Sequence, residues 1–199
     1  MRKINIANRG ASGWATGEFD ELRCFDLHAT AKPTIPPPSQ PTVIWSGGLG
    51  EHPFVPDPRS WLAEGWEALA GALNNLPDGT LLRPHWAHVI SDAPSARQLH
   101  SAFDNSNIGL ALSPASMISP EMTVDVSDHM DRIFEFAGQA SNCVVLEDLD
   151  LATLRPVEAG HGDLNGHRLG HLIANCMGNE QPLVVLATDD QAARDWLGW

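Results

Sequence analysis

The sequence predicts an α/β protein in which a parallel sheet of about six to seven strands alternates with helices. Two observations predict this class. Short runs rich in aliphatic and β-branched residues alternate with longer segments whose apolar residues recur at helical spacing, as in parallel α/β folds. In addition, Asn142–Glu147 holds a continuous apolar run, which a strand covered on both faces of a sheet requires.

Each strand is predicted from a short apolar run that ends at polar, glycine or proline residues. Pro84 must lie at the end or on the edge of its strand, because proline cannot donate a ladder hydrogen bond. Residues 1–21 are ambiguous, either an N-terminal arm or, at Ile4–Ile6, a short strand. The predicted strands are Leu22–Ala29, Thr42–Ser46, Thr80–Ala87, Asn107–Ser113, Asn142–Glu147 and Pro182–Ala187.

Five helices are predicted from apolar residues at helical spacing and from capping residues at their starts. Asp57–Pro58 begins the first helix, and Pro77–Gly79 ends it. Ser91–Asp92 and Thr188–Asp189 cap the second and last helices. The apolar faces are formed by Leu62, Trp66, Leu69 and Leu73; Ala96, Leu99 and Phe103; Met130, Ile133, Phe134 and Ala137; Leu169, Leu172, Ile173 and Cys176; and Ala192, Ala193, Trp196 and Leu197.

The 199 residues are interpreted as one domain, 1–199. The proline-rich stretch 31–41 cannot form regular structure, and we expect a loop over the mouth of the domain. The roughly 20 to 30 residues before it are too few for a separate domain.

Composition excludes several function classes. A net charge of -13 with only 12 basic residues disfavours nucleic-acid binding, although Arg83, Arg97 or Arg155 could form a local pocket for one phosphate. The three cysteines have neither zinc-clip nor disulfide spacing and suggest a reducing compartment. No signal peptide or membrane span is recognised, so we expect a cytoplasmic protein with no membrane partner.

Side chains that do chemistry in parallel α/β folds lie just past the carboxyl ends of the strands. The residues at those places are rich in histidine and carboxylates, which suit a metal site or an acid/base pair. The candidate site residues selected in this way are His28, Trp45, Ser46, Glu51, His85, Trp86, His88, Ser113, Ser116, Glu147, Asp148, Asp150, Thr188 and Asp189.

Three smaller patterns are better explained without chemistry. His167 and His171 have zinc-binding spacing on a helix but lack the glutamate of an HExxH motif, so an exposed helix face explains them. Ser113 and Ser116 lack the G-x-S-x-G surroundings of a nucleophile. Gly47–Gly50 lacks the lysine of a phosphate-binding loop and is interpreted as a turn.

Three segments carry a resemblance to a known family: Asn107–Ser116, Gly160–Asn165 and Pro182–Ala187. They resemble the xylose-isomerase-like sugar phosphate isomerase/epimerase barrels, which include the family-2 apurinic endonucleases. The resemblance covers residues 22–197 and implies a (β/α) TIM-barrel-like sheet shortened by about two βα units. Either the N-terminal segment closes the gap, or a second subunit covers it in a homo-oligomer.

The resemblance also aligns this chain with the family's metal ligands. His85 stands where the fifth strand has a glutamate, Ser113 and Ser116 where the sixth has aspartate and histidine, Glu147 near the seventh strand's histidine, and Ala187 near the last glutamate. Neutral serines and an alanine cannot replace those charged ligands. No cofactor is therefore expected, with a divalent metal as the alternative.

The resulting hypothesis is a degenerate barrel of this type that binds a small polar or sugar-like molecule. If it is active, His85 and Glu147 would be the catalytic acid/base pair. The ligand-binding residues would be His28, Trp45, His88, Ser113, Ser116, Asp148 and Asp163. The rival hypothesis is an assembly or interaction protein, suggested by the tryptophans Trp14, Trp61, Trp196 and Trp199.

Overall fold

The structure is a computed structural model that describes residues 4–10, 13–15, 20–23, 42–46, 66, 67, 69, 70, 79–102, 108–177, 183–187 and 189–199. The strands are β1 Ile4–Gly10, β2 Gly13–Ala15, β3 Asp20–Arg23, β4 Thr42–Trp45, β5 Leu81–Arg83, β6 Gly109–Leu112, β7 Cys143–Leu146, β8 Asp148–Asp150, β9 Arg155–Val157 and β10 Leu183–Leu186. The helices are α1 Ala93–Ala102, α2 Val126–Ala137, α3 Gly166–Cys176 and α4 Asp190–Leu197, with 3-10 segments at Ala115–Met117 and Pro120–Asp125.

The main sheet has the strand order β2-β1-β10-β7-β6-β5-β4-β3. Seven of these strands run parallel to their neighbours, and β2 alone pairs antiparallel, with β1. The predicted α/β class and parallel sheet are thus confirmed. The first strand, β1, pairs in parallel with the last, β10. The described sheet therefore has seven parallel strands, one fewer than a complete eight-stranded barrel, whereas the sequence resemblance implied that two were missing.

The sheet curves so that its two ends approach each other. Some Cα atoms of β2 and β3 lie within 8 Å of one another, although no ladder joins these strands in the described part of the chain. Of the two ways of closing the gap, the structure favours the N-terminal segment. The edge strands are thereby close to one another.

The four helices whose bounds lie in the described part of the chain form where the sequence predicts them. Asp92, Asp125 and Asp189 each accept a hydrogen bond from a backbone N–H in the first turn of the helix that follows. The predicted apolar face of α2 is buried in full. These faces pack on the parallel sheet, whose central strand β7 is buried at all four residues.

The described strands differ from the prediction in several places, and the first of them, β1, runs from Ile4 to Gly10, beyond the possible strand at Ile4–Ile6. The strand predicted to reach Ala87 ends at Arg83, because Pro84 cannot continue the ladder and the chain then turns back, with the N–H of His85 donating to the carbonyl of Ile90. The antiparallel strands β2, β8 and β9 were not predicted, because a strand of three residues is too short to show a periodic pattern.

Several predictions lie outside the described residues, among them His28, Glu51, Thr188, the start of the first helix and the proline-rich loop 31–41. Of the strand predicted at Leu22–Ala29, only the first residues are described, at the end of β3. No helix in the described part of the chain is long and apolar enough to cross a bilayer.

Candidate functional site

A buried polar cluster joins the carboxyl ends of three neighbouring strands. Arg83 ends β5, Ser113 follows β6 with Ser116 in the next turn, and Glu147 follows β7. All four side chains are at most 2% exposed. We call these four residues the Arg83 cluster; in a parallel sheet, the ends of adjacent strands meet at one rim.

The guanidinium of Arg83 is the centre of this cluster. Its Nη2 forms an ion pair with Oε1 of Glu147 and donates to the hydroxyls of Ser113, at 3.0 Å, and Ser116, at 3.2 Å. Oε1 of Glu147 also accepts hydrogen bonds from both serines, Ser113 at 2.8 Å. Buried charges are tolerated when they are paired and hydrogen-bonded in this way.

Four rings lie next to the Arg83 cluster and are half-buried, hence partly open to solvent: Trp45, His85, Trp86 and His88. We call them the aromatic rim. The Arg83 guanidinium carbon lies 4.0 Å from the centre of the Trp45 ring, a cation–π contact. The imidazoles meet Trp45 edge-on at centroid distances of 5.5 and 5.7 Å, and Trp86 stacks on His85 at 5.6 Å.

The turn after Pro84 holds the aromatic rim against the cluster. The backbone N–H of Trp86 donates to the carbonyl of Ser116 at 2.8 Å, which ties the turn to the neighbouring strand end. The N–H of Ala87 donates to Nδ1 of His85 at 3.1 Å, so this ring carries its hydrogen on Nε2. Sequence order alone places the rim residues near one another, but these bonds orient them.

Both histidines of the aromatic rim are uncharged at neutral pH. Burial, with help from the Arg83 guanidinium, lowers the pKa of His85 to about 4. Burial, together with the neighbouring His85 and Arg83, lowers the pKa of His88 to about 3. The rim therefore offers imidazole hydrogen-bonding atoms and not imidazolium charge.

Asp148 and Asp163 have a different place from the other predicted site residues. The buried carboxylate of Asp148 accepts hydrogen bonds from the backbone N–H groups of Leu149, Gly162 and Leu164 at 2.8 to 2.9 Å. Asp163 is exposed and accepts from the N–H of Leu151 at 2.9 Å. Both carboxylates thus tie β8 and the residue after it to the loop between β9 and α3, which contains Gly162 and Leu164.

The structure thus brings together six of the nine predicted site residues: Trp45, His85, His88, Ser113, Ser116 and Glu147. Arg83, the residue around which they are arranged, was considered in the sequence only as one of three scattered arginines. The sequence does contain a pattern that indicates a buried Arg83. The strand Leu81–Arg83 places a guanidinium in an otherwise apolar run, and a buried arginine requires an acidic partner at a neighbouring strand end.

The divalent metal implied by the resemblance does not fit these residues. Two of the aligned positions are neutral hydroxyls, the carboxylate of Glu147 is paired with Arg83, and the guanidinium lies among the groups that would face the ion. At an effective dielectric constant near 20, two positive unit charges 4 Å apart repel each other by about 4 kcal/mol. The repulsion between the guanidinium and a divalent ion at that distance would be about twice as large. In the described ranges, no three His, Cys, Asp or Glu residues are placed to hold a metal.

The architecture is that of an α/β chain with a mainly parallel sheet, similar in fold to a shortened TIM barrel, with a polar and aromatic cluster at the carboxyl ends of its strands. Neither a protein-family model nor a curated protein sequence matches it. Solved structures do match. The 3-keto-D-glucoside 4-epimerase of E. coli, in its apo form, is similar at 19% identity and a TM-score of 0.52, over 79% of this chain and 62% of the epimerase.

Two further structures are similar at lower scores. A D-tagatose 3-epimerase-like protein is 13% identical with a TM-score of 0.47, over 78% of this chain and 58% of its own. Endonuclease IV from Thermus thermophilus is 15% identical with a TM-score of 0.45, over 79% and 61%. The 3-keto-D-glucoside 4-epimerase structure confirms for the fold the resemblance drawn from the sequence. The chain spans about three-fifths of the length of these three proteins.

Proposed function

We propose that this chain binds a small polar, sugar-like molecule at the carboxyl-end rim of its strands, without the divalent ion implied by the resemblance. One observation carries the proposal: the aromatic rim, with two tryptophans and two uncharged histidines, lies directly on the Arg83 cluster. A surface of aromatic rings with a few fixed polar groups is typical of sites for small molecules. The similar fold of 3-keto-D-glucoside 4-epimerase agrees with a ligand of this kind.

Binding is better supported than turnover. The acid/base pair proposed from the sequence is not poised for proton transfer, because Oε1 of Glu147 already accepts from Arg83, Ser113 and Ser116. His85 uses Nδ1 as an acceptor for a backbone N–H, which leaves its Nε2–H as a donor. A neutral imidazole can orient or polarise a ligand oxygen, but it is a weak base when its pKa is about 4.

The experiment is an NMR titration of the full chain with a panel of aldoses, ketoses and polyols, following the tryptophan indole N–H signals. We expect at least one compound to shift the indole signal that is missing in Trp45→Phe, and we expect Trp45→Ala to weaken its binding at least tenfold. Trp199→Phe, at the exposed chain end, is the matched control. No response to any compound, or equal binding by Trp45→Ala, would overturn the proposal.

The assembly hypothesis has less support from the described residues. Trp196 is half-buried between helices, and a Cβ atom placed on Gly160 or Gly166 would contact its ring. Trp199 is exposed, at 37%, and no side chain is described for Trp14 or Trp61. Assembly therefore stays a prediction, which sedimentation velocity of the full chain tests directly.

A further inference from the structure

We infer that the ligand of the rim is an uncharged polyhydroxy compound and that phosphorylated molecules are excluded. This inference rests on the binding function proposed above and specifies its ligand class. Three features of the rim carry it: the internal compensation of Arg83, the absence of charge on the two rim histidines, and a set of buried polar atoms that suits hydroxyl groups.

The positive charge of Arg83 is already matched inside the protein. Its guanidinium is 2% exposed, is paired with the equally buried Glu147, and has its Nη2 shared among Glu147, Ser113 and Ser116. A phosphate reaching this guanidinium would meet the carboxylate of Glu147 as well. The phosphate would have to displace Glu147 or lie beside a second anion, and both arrangements are unfavourable in a buried site.

The other basic side chains of the rim do not change this balance. His85 and His88 lie with their ring centroids 4.7 Å apart and within reach of the Arg83 field, a geometry that disfavours protonation of either ring. Phosphate recognition in proteins depends on uncompensated arginine or lysine or on clustered backbone N–H groups. Among the described residues of the rim and the Arg83 cluster, no lysine is present, and the one arginine, Arg83, is paired with Glu147.

Three buried polar atoms, on residues next to Trp45 in the chain or in space, have no hydrogen-bond partner in the described part of the chain: Ser46 Oγ, Arg83 Nε and His88 Nδ1. Ser46 follows Trp45 directly and is fully buried, while Arg83 and His88 contact its ring. Buried polar atoms are nearly always paired, so these three indicate partners from a ligand or water. They comprise an obligate donor, a hydroxyl and an imidazole nitrogen, a set that sugar hydroxyls match because each can both donate and accept.

The test uses inorganic phosphate as the probe at constant ionic strength, with binding followed by calorimetry and by the Trp45 indole signal. Glu147→Gln removes the compensating charge at nearly the same volume. Glu135→Gln removes the same charge from the exposed face of α2 and is the matched control. If Glu147→Gln does not fold, His88→Lys adds a charge to the half-buried rim and carries the same test.

We expect wild type and Glu135→Gln to leave the Trp45 signal unchanged at millimolar phosphate, and Glu147→Gln or His88→Lys to bind phosphate at least tenfold more tightly. Phosphate binding by wild type that is lost in Arg83→Gln would overturn the inference. So would equal indifference of every variant, because the charge balance would then not be the cause of exclusion. The sugar titration fails or succeeds independently, so a failed binding function is distinguishable from a failed charge selection.

Discussion

Arg83 and Glu147 form an ion pair at the rim across the ends of β5 and β7, with the serines that follow β6 between them. Each side chain is 2% exposed, so little of the pair meets bulk water. Such a pair adds little stability relative to apolar residues, but breaking it leaves one charge buried and unpaired. The stability, charge and ligand preference of the rim therefore depend on these two residues together.

The first prediction concerns this pair. Glu147→Gln should lower the free energy of unfolding by about 3 to 5 kcal/mol, because the guanidinium of Arg83 loses its counter-ion in a buried site. The double variant Arg83→Met with Glu147→Met should recover most of the loss, because no unpaired charge remains. Urea unfolding at pH 7 measures both. The exposed pair of Arg168 and Asp131 supplies the control, since Asp131→Asn should change stability only slightly.

The second prediction concerns pH. The pKa of His88 is about 3 in the folded chain, below the value of 6.5 assigned to an unperturbed histidine, so the unfolded chain takes up the proton first as the pH falls. The contribution of the neutral His88 to the free energy of unfolding is therefore complete above pH 6.5 and is lost as the pH falls from 6.5 to about 3. Allowing for its partial exposure, we expect this loss to be on the order of 2 kcal/mol.

Urea unfolding at pH 7, 5.5 and 4.5 tests this slope. The decrease in stability with falling pH should be smaller in His88→Gln than in wild type. His171→Gln, on the exposed face of α3, should keep the wild-type slope. Parallel curves for wild type and His88→Gln would show that His88 is not held uncharged by the fold.

The third prediction concerns metals. Addition of Co²⁺ or Mn²⁺, or treatment with EDTA, should leave the unfolding temperature of the chain unchanged, because Arg83 provides the positive charge among the rim side chains. Visible absorption of added Co²⁺ should not report a bound ion dependent on Glu147. A stoichiometric Co²⁺ spectrum that disappears in Glu147→Gln would contradict the assignment.

The fourth prediction separates an anchoring role of Asp148 from a ligand-binding role. Asp148→Asn should lower the free energy of unfolding by about 1 to 3 kcal/mol. The reason is that three backbone N–H groups donate to the two carboxylate oxygens, whereas the NH₂ group of an amide cannot accept a hydrogen bond. Hydrogen exchange at Gly162 and Leu164 should accelerate. Asp163→Asn, at an exposed carboxylate of the same loop, should have a much smaller effect.

A substitution at Gly162 tests the same contact between Asp148 and the loop, this time by a change in the loop. A Cβ atom at Gly162 would lie 2.6 Å from Oδ1 of Asp148 and from the carbonyl oxygen of Leu149, too close for ordinary contact. Gly162→Ala should therefore loosen the loop in the same way as Asp148→Asn. If sugar binding survives both changes, Asp148 is a loop anchor; if binding is lost while hydrogen exchange is unchanged, it contacts the ligand.

Much of the fold could be predicted because it depends on local pattern. The run at residues 143–146 is apolar at every position, which only a strand covered on both faces tolerates, and Asp189 caps the helix that follows it. The small pair β8–β9 could not be predicted, since three-residue strands carry no periodicity and are held by pairing with each other. The place of β1 beside β10 is equally non-local, with nearly the whole chain between the two strands.

The candidate site divides in the same way. The amino-acid sequence by itself determined which side chains follow the strands, because a parallel sheet brings all strand ends to one rim whatever the side chains are. Only the tertiary structure decided that Arg83 would be the centre of that rim, paired with Glu147 from 64 positions further along the chain. The physical reason is that a buried charge is tolerated only with its partner, and partners that meet across three strands leave no trace in the spacing of residues.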